Sequence, residues 1–206
     1  MTIRPLRQHQ DQDQDQDHTA MHPPLLYIHG FASSAHSGKA QVLRRHFDKL
    51  YAPSLSHIPT LAMETLEEFI RALPAPPLLI GSSLGGYYAL YLSQRYDLPA
   101  VLINPLVRIT RSLEQVQGMN RHYFDGSQFE FTAGHLEALR HYACPEPRGE
   151  RLLLMAQLGD EVIDQRANLD LLPGAQREVE QGGSHAYENF ESKMGLIRRF
   201  AWKASE

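Results

Sequence analysis

The chain has 206 residues, a length suited to one domain with a sizeable core. Its 42% hydrophobic and 21% charged residues are ordinary for a globular protein, and a formal net charge of −4 argues against nucleic acid as the main partner, because phosphate binding needs a basic surface. No apolar run approaches the roughly 20 residues of a membrane-spanning helix, and the polar first segment lacks the apolar stretch of a secretory signal, so a cytoplasmic protein is the expectation.

Residues 1–22 include Asp11 to Asp17 as alternating Asp and Gln, with no apolar side chain to bury, and are read as a disordered tail. Residues 23–206 are read as a single domain. Leu25 to Ile28 is an apolar strand ending at His29-Gly30, followed by a helix over 38–47 and a weak strand at 50–52. Leu66, Phe69, Ile70 and Leu73 fall at helical spacing over 64–73, and Pro74, Pro76 and Pro77 end that helix. Leu78 to Ile80 is a buried strand, 84–95 a helix and 99–103 the next strand. Residues 105–147 form a lid-like, irregular insertion. Strand 151–157, helix 164–172, strand 176–180 and a closing helix over 189–202 complete the chain. About six strands, each feeding a helix, imply a mostly parallel sheet.

The sharpest local signal is Gly81-Ser82-Ser83-Leu84-Gly85-Gly86, placed between an apolar strand and a helix. This is G-x-S-x-G in the strand–turn–helix setting of a nucleophile elbow. Gly81, Gly85 and Gly86 allow strand and helix to approach, and Ser83 gains the oxyanion-favouring field of a helix N-terminus. The competing reading of the bare pattern is a glycine-rich turn that closes a βα unit.

A serine hydroxyl needs a base, and in such folds the acid and then the histidine follow the serine in chain order. His185, in Gly182-Gly183-Ser184-His185, lies after the last strand and matches no apolar periodicity. Asp160 follows the preceding strand and is the candidate acid. Glu161 and Asp164 are its rivals, with Asp164 better suited to capping the next helix. Asn104, at the alternative acid position after strand 99–103, cannot supply a charge. Oxyanion donors are expected at the Leu84 N–H and at the Phe31 N–H, the latter in the His29-Gly30-Phe31 loop. Ser33, Ser34 and Lys39 receive no chemical role.

Cys144 excludes an intrachain disulfide as the single cysteine, and it sits in a proline-broken stretch that reads as a small hydrophobe rather than a nucleophile. No HExxH or CxxC occurs, so no metal and no cofactor is expected.

The segments Tyr27 to Phe31, Gly81 to Tyr88, Asn104 to Arg108, Gly159 to Asp164 and Gly183 to His185 together resemble the YqiA-like esterases, a branch of the α/β-hydrolase superfamily. The resemblance spans about residues 24–200, and GSSLGGYY with NPLVR carries its specificity; the Asp-Gln tail departs from the family's usual form. It implies a three-layer α/β-hydrolase fold with helices on both faces of the sheet and a small lid. It also implies esterase or thioesterase activity on short or fatty acyl groups, including acyl-CoA, with Ser83, Asp160 and His185 as triad. The expected partner is a small acyl ester or thioester, and a monomer is the default.

Tyr123, Phe124, Phe129 and Phe131 of the insertion, with Phe31 and Tyr87, are candidates to line an acyl pocket; packing of the insertion is the simpler explanation of its aromatics. Arg108 and Arg111 are read as solvated surface. A dedicated acyl-CoA thioesterase and a non-catalytic hydrolase-fold binding module remain the alternative functions.

Overall fold

The computed structural model describes residues 23–203, so the expected tail over 1–22 lies outside the described residues. The chain runs β1 (Leu25–Ile28), α1 (Gly38–His46), β2 (Leu50–Tyr51), α2 (Pro59–Ala72), β3 (Leu78–Ser82), α3 (Leu84–Tyr96) and β4 (Ala100–Ile103). It continues with α4 (Arg111–Gln115), β5 (Gly118–Arg121), β6 (Gln128–Phe131), α5 (Ala133–Arg140), β7 (Leu152–Gln157), α6 (Gln165–Leu171), β8 (Gln176–Glu180) and α7 (Met194–Lys203).

Six strands form one sheet in the order β2-β1-β3-β4-β7-β8, and every neighbouring pair is parallel. Apolar runs such as Leu-Leu-Tyr-Ile in β1 and Ala-Val-Leu-Ile in β4 are buried at every residue, as expected of strands covered on both faces. The period of two sorts their side chains. Leu25, Tyr27, Leu78, Ile80, Val101 and Ile103 pack with Leu43 of α1 and Ile197 of α7. Leu26, Ile28, Leu79, Ala100 and Leu102 pack on the opposite face with Leu66 of α2 and Leu90 of α3. The result is helix, sheet and helix in three layers.

Most boundaries fall within two residues of the sequence reading, and two helices differ by more. Helix α2 begins at Pro59 rather than Glu64, because proline suits the first helical position, where its missing N–H would have no partner. The closing helix is split: a 3-10 turn over Phe190–Lys193 precedes α7. Asp164 does cap α6, accepting from the Arg166 N–H at 3.0 Å.

The insertion is not irregular. It holds α4, an antiparallel hairpin of β5 and β6, and α5. Gln-Phe-Glu-Phe in β6 alternates exposed and buried, a strand signal set just after Asp125-Gly126 at the hairpin turn. Phe129, Phe131, Leu136 and Leu139 join the α2–α3 side of the core.

Chain order reverses between β1 and β3: β2 lies on one side of β1, and β3 lies on the other. Ligands of open α/β sheets bind outside the carboxyl ends of strands at such a switch point. Here those ends are His29-Gly30-Phe31 after β1 and Ser83 after β3.

Candidate active site

Ser83 sits between β3 and α3 with φ 57° and ψ −123°, a strained conformation for a residue with a side chain. The turn persists because its surroundings leave no room for relaxation. A Cβ on Gly85 would collide with the Ile28 carbonyl oxygen, and one on Gly81 with the Gly85 carbonyl oxygen. The elbow is therefore wedged against the end of β1. The Ser83 N–H donates to the Ile103 carbonyl at 3.1 Å, which fixes the turn to β4 as well.

His185, brought from 102 residues away in sequence, lies with Nε2 2.9 Å from Ser83 Oγ. Its Nδ1 is 2.9 Å from both Asp160 carboxylate oxygens. A carboxylate only accepts, so Nδ1 carries the proton and Nε2 presents its lone pair to the serine hydroxyl.

The Asp160 side chain has no solvent-exposed surface, yet its charge is well satisfied. Oδ1 accepts the Val162 and Ile163 N–H groups, each at 2.9 Å, and Oδ2 accepts Gln165 Nε2 at 2.9 Å. Burial pushes the carboxyl pKa up, but the hydrogen bonds from His185, Ile163 and Val162 outweigh it and hold the group below its ordinary value. Glu161, the rival acid, instead accepts the His185 backbone N–H at 3.0 Å.

Two buried polar residues to which the sequence reading gave no role shape the histidine loop. Asn104 Nδ2 donates to the Ser184 carbonyl at 2.8 Å, and Gln157 Oε1 accepts the Ser184 and Glu188 N–H groups at 3.1 and 2.8 Å. Their only signal in sequence is a polar residue at the end of an apolar strand.

The loop after β1 closes on Ser83: a Cβ at Gly30 would lie 3.1 Å from Ser83 Cβ. His29 braces it. Its Nδ1–H donates to the Gly30 carbonyl, its Nε2 accepts the Leu55 N–H, each at 2.9 Å, and burial lowers its pKa, which keeps the ring neutral. The Phe31 and Leu84 N–H groups have no backbone acceptor among the described residues. Both residues line a cavity of about 400 Å³ that opens onto Ser83 and His185.

A family model described as an uncharacterised protein family, UPF0227, matches residues 24–202. The chain belongs to this family. Solved structures similar to this UPF0227 member include the mouse alpha/beta hydrolase domain-containing protein 10, at 13% identity over 88% of this chain and 90% of that one, with TM-score 0.69. A meta-cleavage product hydrolase aligns at 16% identity over 88% and 92% of the two chains, with TM-score 0.71. The esterase domain of a Rhodothermus marinus protein aligns at 18% identity over 89% and 87%, with TM-score 0.63. The likeness establishes the α/β-hydrolase fold expected from the sequence.

In this UPF0227 member the cavity lining differs from the expected aromatic set. Phe31 and Tyr123 line it, but Tyr87, Phe124, Phe129 and Phe131 do not. Tyr87 is buried in α3 with its hydroxyl on the Leu139 carbonyl at 2.9 Å. Phe124 points to solvent and stacks on His36, with ring centroids 4.8 Å apart. Phe129 and Phe131 are buried behind Phe31, meeting its ring edge-on at 5.5 and 5.2 Å. They fasten the hairpin, as the packing explanation holds. Tyr27 also lines it, and much of the remaining wall is aliphatic: Leu106, Leu113, Val116, Val162 and Ile163. Leu113 and Val116, three residues apart around α4, were the available signal.

Arg108 and Arg111 are exposed and do not line the cavity beside Ser83. Burial pushes the Cys144 thiol up to about 11, so it stays protonated and unreactive. No group of three metal-ligating side chains occurs among the described residues.

Proposed function

We propose that this chain is a serine hydrolase that cleaves carboxylic esters or thioesters of short to fatty acyl groups through an acyl-enzyme intermediate. The observation that carries this reading is the relay from Ser83 Oγ to His185 Nε2 at 2.9 Å and from Nδ1 to the buried Asp160. His185 takes the hydroxyl proton as Ser83 attacks the carbonyl carbon, and returns it to the departing alcohol or thiol. Water activated by the same imidazole then releases the acid and restores the serine. The charge of Asp160 stabilises the imidazolium formed at each step.

The oxyanion is received by the Phe31 and Leu84 N–H groups at the first turn of α3, where the helix dipole adds to the field. Removing one such donor typically costs on the order of 10²–10³ in rate. The aliphatic walls suit an alkyl chain, and esterase structures among the similar folds support ester cleavage.

The test is hydrolysis of p-nitrophenyl butyrate by the wild-type protein and its Ser83→Ala variant. Turnover by the wild type alone supports the reading; equal turnover by both overturns it. An acyl-CoA series on the active protein then separates ester from thioester preference.

A further inference from the structure

Lys39 is the one Lys, Arg, Asp or Glu among the residues lining the cavity beside Ser83. It stands in the first turn of α1 on the wall shared with Ser33 and Ala186. The sequence gives it no role, and neither does the hydrolytic relay.

Its placement is unfavourable three times over. Nζ has a neutral partner, the Ala186 carbonyl at 2.6 Å, and no carboxylate lies within 4.0 Å of it among the described residues. The first turn of α1 holds no acidic residue, so the ammonium meets the positive end of the helix dipole uncompensated. Burial lowers its pKa to about 8, with Asp160 opposing that shift from a distance. Asp160 itself is engaged by His185, Gln165 and two backbone N–H groups. An ammonium has three donors, and the Ala186 carbonyl takes one.

A half-buried cation beside aliphatic walls has a physical reason to be there when the ligand supplies the counter-charge. We propose that Lys39 recognises a carboxylate on the substrate, so that this site takes esters or thioesters with a second, anionic group near the scissile carbonyl. The inference deepens the hydrolase reading and rests on it. The aliphatic walls hold the methylene spacer, and Lys39 is a specificity-determining residue rather than a participant in bond cleavage.

Binding to the Ser83→Ala protein tests recognition without turnover. Three probes are compared by calorimetry: monomethyl glutarate, with the carboxylate on the acyl side; 3-acetoxypropanoate, with it on the alcohol side; and neutral dimethyl glutarate. At least one anionic ester is expected to bind tenfold or more tighter than the neutral one. That advantage should vanish when Lys39→Met is added and survive when Lys39→Arg is added. The anionic probe that gains identifies the side of the ester that faces Lys39. Equal binding of all three, or a preference indifferent to Lys39→Met, overturns the proposal while leaving the nucleophile assignment to its own test. On the Ser83 protein, Lys39→Met should lower the ratio of anionic to neutral kcat/KM at least tenfold, through KM. A kcat loss of equal size for every ester would instead mean that Lys39 only holds the Ala186 carbonyl and the histidine loop, and would also overturn it.

Discussion

Asn104 holds the loop that carries His185: its Nδ2 donates to the Ser184 carbonyl at 2.8 Å and to the His185 carbonyl at 3.3 Å. Its Oδ1 accepts the Gln157 N–H at 2.8 Å, and the residue is fully buried with φ 39°. Asparagine tolerates this left-handed backbone better than most residues, and its amide both donates and accepts. The position after β4 thus bears no charge, but it ties β4, β7 and the histidine loop together.

Replacing Asn104 should therefore misplace the imidazole rather than remove it. Asn104→Ala is expected to lower kcat for p-nitrophenyl butyrate by roughly 10²-fold, the scale of an ångström-sized misplacement, with KM little changed. Asn104→Gly, which relieves the positive φ but lacks the amide, should show the same kcat loss with a smaller fall in thermal midpoint. Wild-type kcat in the glycine variant would mean that the hydrogen bonds do not position His185.

Asp160→Asn keeps the shape of the side chain and removes its charge. An asparagine amide would have to satisfy donors arriving from His185, Gln165 and two N–H groups, so the imidazole loses its fixed tautomer. A kcat loss of about 10³–10⁴ is expected. The pH dependence has a definite sign. The folded pKa of Asp160 is depressed, so its carboxylate contributes stability that is complete above its unfolded pKa of about 3.9 and is lost as pH falls through the folded value. Urea unfolding should find Asp160→Asn less stable than the wild type at pH 7, with the gap narrowing below about pH 4. A gap that widens in acid would contradict the depressed pKa.

Two glycines separate steric need from sequence pattern. Gly85→Ala drives a methyl group into the Ile28 and His29 carbonyls and should destabilise by about 3 kcal/mol, roughly 6–12 °C in thermal midpoint. Gly182→Ala meets nothing within 4 Å and should leave the midpoint within about 2 °C. Thermal unfolding of the pair checks both.

The neighbouring aromatics of the hairpin turn should behave oppositely. Both are exposed, but Tyr123 borders the mouth of the cavity, while Phe124 stacks on His36 outside it. Tyr123→Ala is expected to change the ratio of kcat/KM between butyrate and octanoate p-nitrophenyl esters severalfold. Phe124→Ala should leave that ratio unchanged. A larger effect at Phe124 would mean that the turn closes differently over bound substrate.

The strand–turn–helix at Ser83 and the parallel sheet were legible because each rests on local physics; Asp160 and His185 were chosen by their order along the chain, and the fold brings both to Ser83. Strands buried on both faces must be continuously apolar, as β3 and β4 are, and a serine on a tight strand-to-helix turn needs small residues at Gly81 and Gly85. The hairpin of β5 and β6 was legible in principle from Gln-Phe-Glu-Phe after Asp125-Gly126, but its four-residue strands make a faint signal. Only the tertiary structure decided which side chains face the cavity. Phe124 and Tyr123 are adjacent, aromatic and both exposed, and the backbone bond from the Tyr123 N–H to the Ala32 carbonyl, at 2.9 Å, helps hold Tyr123 at the cavity rim. Asn104, Gln157 and Lys39 escaped for the same reason. Their partners, at His185, Ser184 and Ala186, lie between 27 and 147 residues away, and the roles of their hydrogen bonds follow from distances that no local pattern encodes.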